Sequence, residues 1–106
     1  MKLNIKTKNL DLTDPLRVYI NEKIGSLDRF LKRYEETGDI IVDVEIARPS
    51  NHHHKGEVFY AEINLEIPGK FLRASAQDYD ARNAINQVRD KMHREIVDHK
   101  EKHERE

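Results

Sequence analysis

The last third of the chain, from Asp78 onward, constrains the fold most, because it has the pattern of one long amphipathic helix. At about 100° per residue, its apolar residues fall in a single arc. They are Ala81, Ala84, Ile85, Val88, Met92 and Ile96. Such an arc is typical of a helix that packs on one side against a core. The rest of the chain must therefore supply an apolar surface that covers it.

Basic residues lie along both borders of this apolar arc. One border carries Arg82, Arg89, His93 and Lys100, and the opposite border carries Lys91, with Arg94 further round. One interpretation is that these side chains snorkel beside a solvated polar face. The other is that they form a binding surface, and the choice depends on which elements the fold places beside them.

The middle of the chain alternates apolar and polar residues with period two, as strands with one wet face do. Together with the first residues, this pattern predicts strands over 2–8, 40–48, 57–67 and 70–76. Pro68-Gly69 is typical of the tight turn between the last two strands.

Two helices are predicted, over 14–35 and 78–102. The first begins with Thr13 as its cap and Pro15 in its first turn, and Gly25 is a weak point inside it. Lys23 falls inside the apolar arc of this helix, between Phe30 and Tyr34. It is therefore either a snorkelling residue of the core side or a cation directed into the space beside the last helix.

The element order β-α-β-β-β-α predicts an α+β two-layer sandwich, in which a four-stranded sheet carries both helices on one face. Residues 1–106 are expected to form a single domain, with 103–106 as a charged tail. In that architecture the two helices are neighbours, and the basic borders of the last helix line a groove between them.

Composition limits the function. Lys and Arg (19) nearly balance Asp and Glu (20), so binding to a nucleic acid would require segregated charge. The chain has no cysteine, glycine-rich phosphate loop, nucleophile elbow or convergent acid pair, which favours a protein that is not an enzyme and needs no cofactor. The alternating start is unlike a signal peptide, and no apolar run has the length of a membrane span, so a cytoplasmic location is expected.

Histidines offer two metal-site candidates. His52-His53-His54 lies between the second and third strands, and His99 and His103 are one helical turn apart. The competing interpretation is a polar loop and a solvated tail, and no metal is predicted.

Several short motifs occur in a defined order along the chain. They are Leu3-Asn4-Ile5, Leu12-Thr13-Asp14-Pro15-Leu16-Arg17, the helix register through Lys23 and Leu27, Phe71-Leu72-Arg73-Ala74-Ser75-Ala76, Asp80 with Ala84-Ile85, and Asp90-Lys91-Met92-His93-Arg94-Glu95-Ile96 before His99-Lys100. In this ordered set the chain resembles the short form of the ribosome hibernation promoting factor family, also called protein Y or ribosome-associated inhibitor.

The resemblance implies a β-α-β-β-β-α fold similar to double-stranded-RNA-binding domains. It also implies a stress-response and stationary-phase factor that binds rRNA of the small ribosomal subunit, in the channel of mRNA and of the A- and P-site tRNAs, and blocks translation. No DNA or membrane partner is implied, and the free chain is expected to be a monomer. The implied rRNA contacts are Lys23, Lys91, Arg94 and Lys100, to which position alone adds Arg82, Arg89 and Arg17.

The chain departs from the family pattern in two places. Arg82 stands where the family usually has a tyrosine, and Ser26 replaces a common lysine. The charged ending favours the branch that promotes inactive ribosome dimers, without the C-terminal dimerisation domain of the long form. Two alternatives stay open: a module that binds free double-stranded RNA, and a non-enzymatic metal-binding or interaction domain.

Overall fold

The computed structural model describes residues 1–36, 38–48 and 58–105, with side chains as far as Lys102. Its strands are β1 (Lys2–Lys8), β2 (Ile41–Ala47), β3 (Phe59–Ile67) and β4 (Lys70–Asp78). The first helical region consists of α1 (Asp14–Gly25), a 3-10 segment (Ser26–Phe30) and α2 (Lys32–Glu35), and the long last helix is α3 (Ala81–Arg105). The four strand predictions are thus confirmed to within two residues at each end.

The strands form one sheet in the order β1-β2-β3-β4. β1 and β2 are parallel, which requires the helical crossover between them, and the other two pairs are antiparallel. Val44 pairs with Ile63 and Ile63 with Ala74, so the inward residues of neighbouring strands share one row. A single core cluster joins this inner face to both helical regions, which confirms the predicted placement of the helices on one face.

The core lies between the inner sheet face and the helices. From α3 it takes five fully buried side chains: Ala84, Ile85, Val88, Met92 and Ile96. From the first helical region it takes Ile20, Ile24, Leu27 and Leu31. The outer face is polar, and its side chains bond across strands, as when Arg73 Nε donates to Asn64 Oδ1 at 2.8 Å.

The prediction of one continuous helix over 14–35 is wrong. Regular α-helix ends at Gly25, the predicted weak point, and the chain tightens into the 3-10 segment before one more turn of α-helix. Leu31, at the joint, has φ −110° and ψ 0°. The change of pitch lets Leu27 and Leu31 continue the buried row of Ile24, because 3-10 geometry advances each residue further around the axis.

The predicted start of the last helix, at 78, is also early by three residues. Asp78 still pairs with Phe59 as part of β4, and its carboxylate accepts hydrogen bonds from the Asp80 N–H (2.9 Å) and Gln87 Nε2 (2.8 Å). The Asp80 N–H, with Gln87 and Asn83, lowers the pKa of the Asp78 carboxyl. Asp80 caps α3, since its Oδ1 accepts from the Arg82 N–H at 2.8 Å.

Replacing Asp80 should test how strongly this cap positions α3. Asp80→Ala removes the acceptor for the Arg82 and Asn83 N–H groups, so we expect a loss of about 0.5–2 kcal/mol in the free energy of unfolding. Asp80→Asn keeps a side-chain oxygen and should lose much less. Urea unfolding of both variants measures the difference, and equal stability of the alanine and wild-type proteins would contradict the assignment of the cap.

Candidate nucleic-acid interface

α1 and α3 lie side by side on the sheet, and the border of α3 that faces the first helical region is basic. Its residues are those predicted for that border: Arg82, Arg89, His93 and Lys100. Opposite them the first helical region presents three partly buried aromatic rings, from Tyr19, Phe30 and Tyr34. We call these residues, with Lys23, Arg29 and Arg33, the inter-helix seam.

The Tyr19 ring contacts the first group of cations in the seam. The Arg82 guanidinium carbon lies 5.0 Å from the centre of its ring and Lys23 Nζ lies 5.5 Å from it. Both distances fall in the range in which an aromatic ring attracts a cation, by about 0.5–1 kcal/mol at exposed sites. The shared ring therefore brings two like charges from different helices together at the surface, and both side chains are exposed.

Phe30 holds the second group. Its ring is 4.1 Å from the His93 ring, centre to centre, at an interplanar angle of 35°. Guanidinium carbons of Arg29 and Arg89 lie 4.7 and 6.0 Å from the same ring. A half-buried phenylalanine thus has basic side chains from both helical regions around it.

Arg89 is closely held in the seam, with a side chain only 19% exposed. Its Nε donates to Ser26 Oγ at 3.0 Å, and the Ser26 hydroxyl donates in turn to the Lys23 carbonyl at 2.6 Å. Its Nη1 forms an ion pair of 3.3 Å with Asp90 Oδ1. Ser26 therefore orients Arg89 of α3. The resemblance implies a lysine at this position.

Tyr34 holds the third group, at the far end of the seam. Lys100 Nζ and the Arg33 guanidinium carbon lie 6.0 and 5.9 Å from its ring centre. The His99 ring, nearly fully buried, lies 6.1 Å from it. His99 is therefore part of the packing between the helices.

The expectation that Lys23 lies inside the apolar arc is wrong. Lys23 is exposed, and Ile20 and Ile24 form the buried face of α1. The error follows from the continuous helix that was assumed, because Phe30 and Tyr34 lie beyond the 3-10 segment and do not share the register of α1. The predicted direction of the ammonium towards the space beside α3 agrees with its position near Tyr19 and Arg82.

Lys91 and Arg94 lie away from the seam. Lys91 Nζ donates to the backbone carbonyl of Ser75 on β4 at 3.0 Å, so this border of α3 faces the sheet edge. Arg94 is exposed, and within the described residues its side chain forms no hydrogen bond or ion pair. Six of the seven predicted contacts thus form two groups: Lys23, Arg82, Arg89 and Lys100 lie in the seam, whereas Lys91 lies at the opposite border of α3 and Arg94 beyond it. The seventh, Arg17, is exposed on α1.

The two sides of the sheet differ in charge. The two central strands place four acids on the outer sheet face, remote from the helices: Asp43, Glu45, Glu62 and Glu66. The lysines of β1 lie at one edge of that face. Together with Arg73 on β4, these lysines balance the four acids, whereas residues 14–35 and 81–102 carry eleven Lys and Arg against eight Asp and Glu. Within a net charge of −1 the helical side therefore has a small basic excess, the sign that a nucleic-acid partner requires.

The sequence did not predict the aromatic part of the seam, because Phe30 and Tyr34 were placed in the apolar arc of the first helix and Tyr19 was given no contact with a cation. Their spacing does carry a signal, since each has a basic residue within four positions along the chain. Pairing them with Arg82, Arg89 and Lys100 required knowledge of how far α1 and α3 are offset, which no local pattern contains.

Within residues 1–36, 38–48 and 58–102, no three histidine or acidic side chains are grouped to hold a metal ion. The His52–His54 loop and the His103 side chain lie outside the described residues. The helices of the described chain include none that is long and apolar enough to cross a membrane.

Comparison with known proteins agrees with this geometry. A family profile described as Sigma 54 modulation protein / S30EA ribosomal protein matches residues 3–104. The ribosome hibernation promoting factor of Azotobacter vinelandii is 33% identical over 96% of this chain and 85% of its own length. The ribosome hibernation promoting factor of Pseudomonas putida is 32% identical over 96% of this chain and 89% of its own length. The crystal structure of the Thermus thermophilus Protein Y N-terminal domain superposes with a TM-score of 0.69 at 27% identity, over 91% of this chain and 96% of that one.

A double-mutant cycle on Ser26 and Arg89 should show that they stabilise the seam together. We expect Ser26→Ala and Arg89→Gln to be coupled by about 0.5–1.5 kcal/mol in the free energy of unfolding, because one hydrogen bond joins them. Ser26→Ala with Lys100→Gln is the matched control, and its effects should add. Additive effects in both cycles would mean that the Arg89–Ser26 hydrogen bond contributes nothing to stability.

Proposed function

This chain belongs to the Sigma 54 modulation protein / S30EA ribosomal protein family, the family of the ribosome hibernation factors, and we propose that it binds rRNA of the small ribosomal subunit and blocks translation. The observation that carries the proposal is the inter-helix seam, in which cations from two helices are held against aromatic rings at the surface. The partner would be the channel that mRNA and the A- and P-site tRNAs occupy.

The seam suits a phosphate backbone better than base edges. Lysine and arginine side chains neutralise phosphates without reading sequence, and such contacts fix the position of a protein on RNA. Folded RNA is recognised largely by shape, which a rigid two-layer domain with a basic helical side can match. The Arg89 guanidinium is already oriented by Ser26 and Asp90, so less side-chain entropy is lost when it meets a phosphate.

Inhibition by such a protein requires no catalysis. A folded body in the channel excludes mRNA and tRNA by occupying their space, and its affinity follows from charge and shape. We therefore propose a cytoplasmic factor that works without a cofactor, is monomeric when free and favours inactive ribosome dimers. Curated relatives named ribosome hibernation promoting factor support this proposal.

The test is co-sedimentation of the chain with purified small subunits across a salt series, with free duplex RNA as competitor. We expect affinity to fall steeply with salt and duplex RNA to compete poorly. Equal affinity for free duplex RNA would instead favour a general double-stranded-RNA-binding module.

The basic residues beyond the seam provide the first site prediction. Lys91→Glu with Arg94→Glu should weaken small-subunit binding and lower the slope of log affinity against log salt by about 2, because two phosphate contacts are lost. Lys6→Glu with Lys8→Glu makes the same change in net charge on the outer sheet face. If both double mutants bind equally weakly, the effect reflects net charge, and Lys91 and Arg94 would not be part of the proposed site.

Lys23 provides the second site prediction. Since it is exposed, Lys23→Met should change the free energy of unfolding by no more than about 0.5 kcal/mol. If its ammonium meets a phosphate, small-subunit binding should weaken by about 1.5–3 kcal/mol, the value of a hydrogen bond to a charged group. Melting temperature and affinity measured on the same variant decide the matter, and native affinity in a folded Lys23→Met protein would remove Lys23 from the site.

A further inference from the structure

Among the described residues, no strand pairs with the outer edge of β4, and the hydrogen-bonding groups of this edge can be identified from the register. β4 is the last strand of the sheet, and Pro68-Gly69 forms the two-residue turn that joins it to β3. In such a hairpin the closing pair, here Ile67 and Lys70, exchanges backbone hydrogen bonds, and every second pair after it does the same. The residues between them therefore direct their N–H and C=O groups away from β3: Phe71, Arg73, Ser75 and Gln77.

Lys91 confirms this orientation. Its ammonium lies 3.0 Å from the Ser75 carbonyl oxygen, at the middle of the open edge. A carbonyl that pointed towards β3 would already be used in the ladder and covered by the sheet. The ammonium occupies the place where the N–H of an added strand would have to lie, and lysine at a strand edge opposes pairing with another chain.

The sequence of β4 is self-complementary for antiparallel pairing. When a second β4 lies along the edge with Ala74 on the two-fold axis, Phe71 faces Gln77 and Arg73 faces Ser75. In both pairs the N–H and C=O groups that are directed away from β3 face each other and can form hydrogen bonds. The same register places Lys70 of each copy opposite Asp78 of the other, on the helix side of the sheet. All nine residues of the strand overlap in this one symmetric arrangement.

We propose that the outer edge of β4 is a docking surface for a second copy of this chain, and that Lys91 keeps it closed. Each Lys91 lies one strand residue from the two-fold axis, so two ammonium groups would face each other when the edges pair. Their repulsion, and the loss of the bond to Ser75, oppose pairing. Removing the charge should therefore open an edge whose backbone groups and end charges already match.

The test is sedimentation equilibrium of the full chain without ribosomes, so that it is independent of the proposed rRNA binding. Wild-type protein and Lys91→Arg should remain monomeric at micromolar concentration. Lys91→Met, which keeps an unbranched stem without the charge, should dimerise with at least a ten-fold smaller dissociation constant. A Lys91→Met protein that is folded, by its melting temperature, and as monomeric as the wild type would overturn the proposal.

Two variants in the Lys91→Met background test the surface and the register. Ser75→Pro removes an outward N–H and spares the β3–β4 ladder, so it should restore the monomer. Lys70→Glu places like charges opposite Asp78 and should weaken the dimer, whereas the control Lys2→Glu, on the other edge of the sheet, should not. A dimer that persists in the folded Ser75→Pro variant, or that responds equally to Lys70→Glu and Lys2→Glu, would show that β4 is not the surface.

Discussion

The packing of the apolar stripe of α3 on the inner face of β3 and β4 is the contact on which the other features of this protein depend. Ile85, Met92 and Ile96 are fully buried there, and each contributes about 1.5–3 kcal/mol by leaving water. Because that stripe is buried in the core, the two borders of α3 can point in only two directions. One faces the first helical region, and the other faces the edge of the sheet.

The basic residues at the two borders of α3 lie in different electrostatic environments. Along the seam, like charges converge from two helices, and their mutual repulsion is offset by ring faces, the Ser26 hydroxyl and the Asp90 carboxylate. These partners hold the cations in place and leave them at the surface. At the other border, Lys91 covers a backbone carbonyl on the side of β4 where none of the described strands pairs. Basic residues of one helix therefore have different environments although they look alike in sequence.

The break in the first helical region connects the fold to the seam. Because the chain changes from α-helix to 3-10 geometry at Ser26, Leu27 and Leu31 enter the core while Phe30 turns towards α3. Phe30 then meets His93 and Arg89, and Ser26 lies within reach of the same arginine. A continuous α-helix would have placed these side chains at other angles, so the change of pitch is part of how the basic surface is built.

Local pattern alone determined the elements and their layers. The periods of two and 3.6, the Thr13 start and the Pro68-Gly69 turn gave four strands and two helical regions on one face, because alternation and amphipathicity report directly which side of an element is buried. The same periodicity assigned Arg82 and Arg89 to one border of α3 and Lys91 to the other. That assignment needs only the geometry of a single helix.

Tertiary structure decided what those positions contact. The exposure of Lys23, the hydrogen bond from Arg89 to Ser26 and the capping of the Ser75 carbonyl by Lys91 each join residues from different elements. Such contacts depend on the offset between α1 and α3 and on the register of β4, which packing of the whole core sets. A helical wheel contains the angle of each residue around one axis, but not the distance to the next element, and the chemistry of this surface depends on that distance.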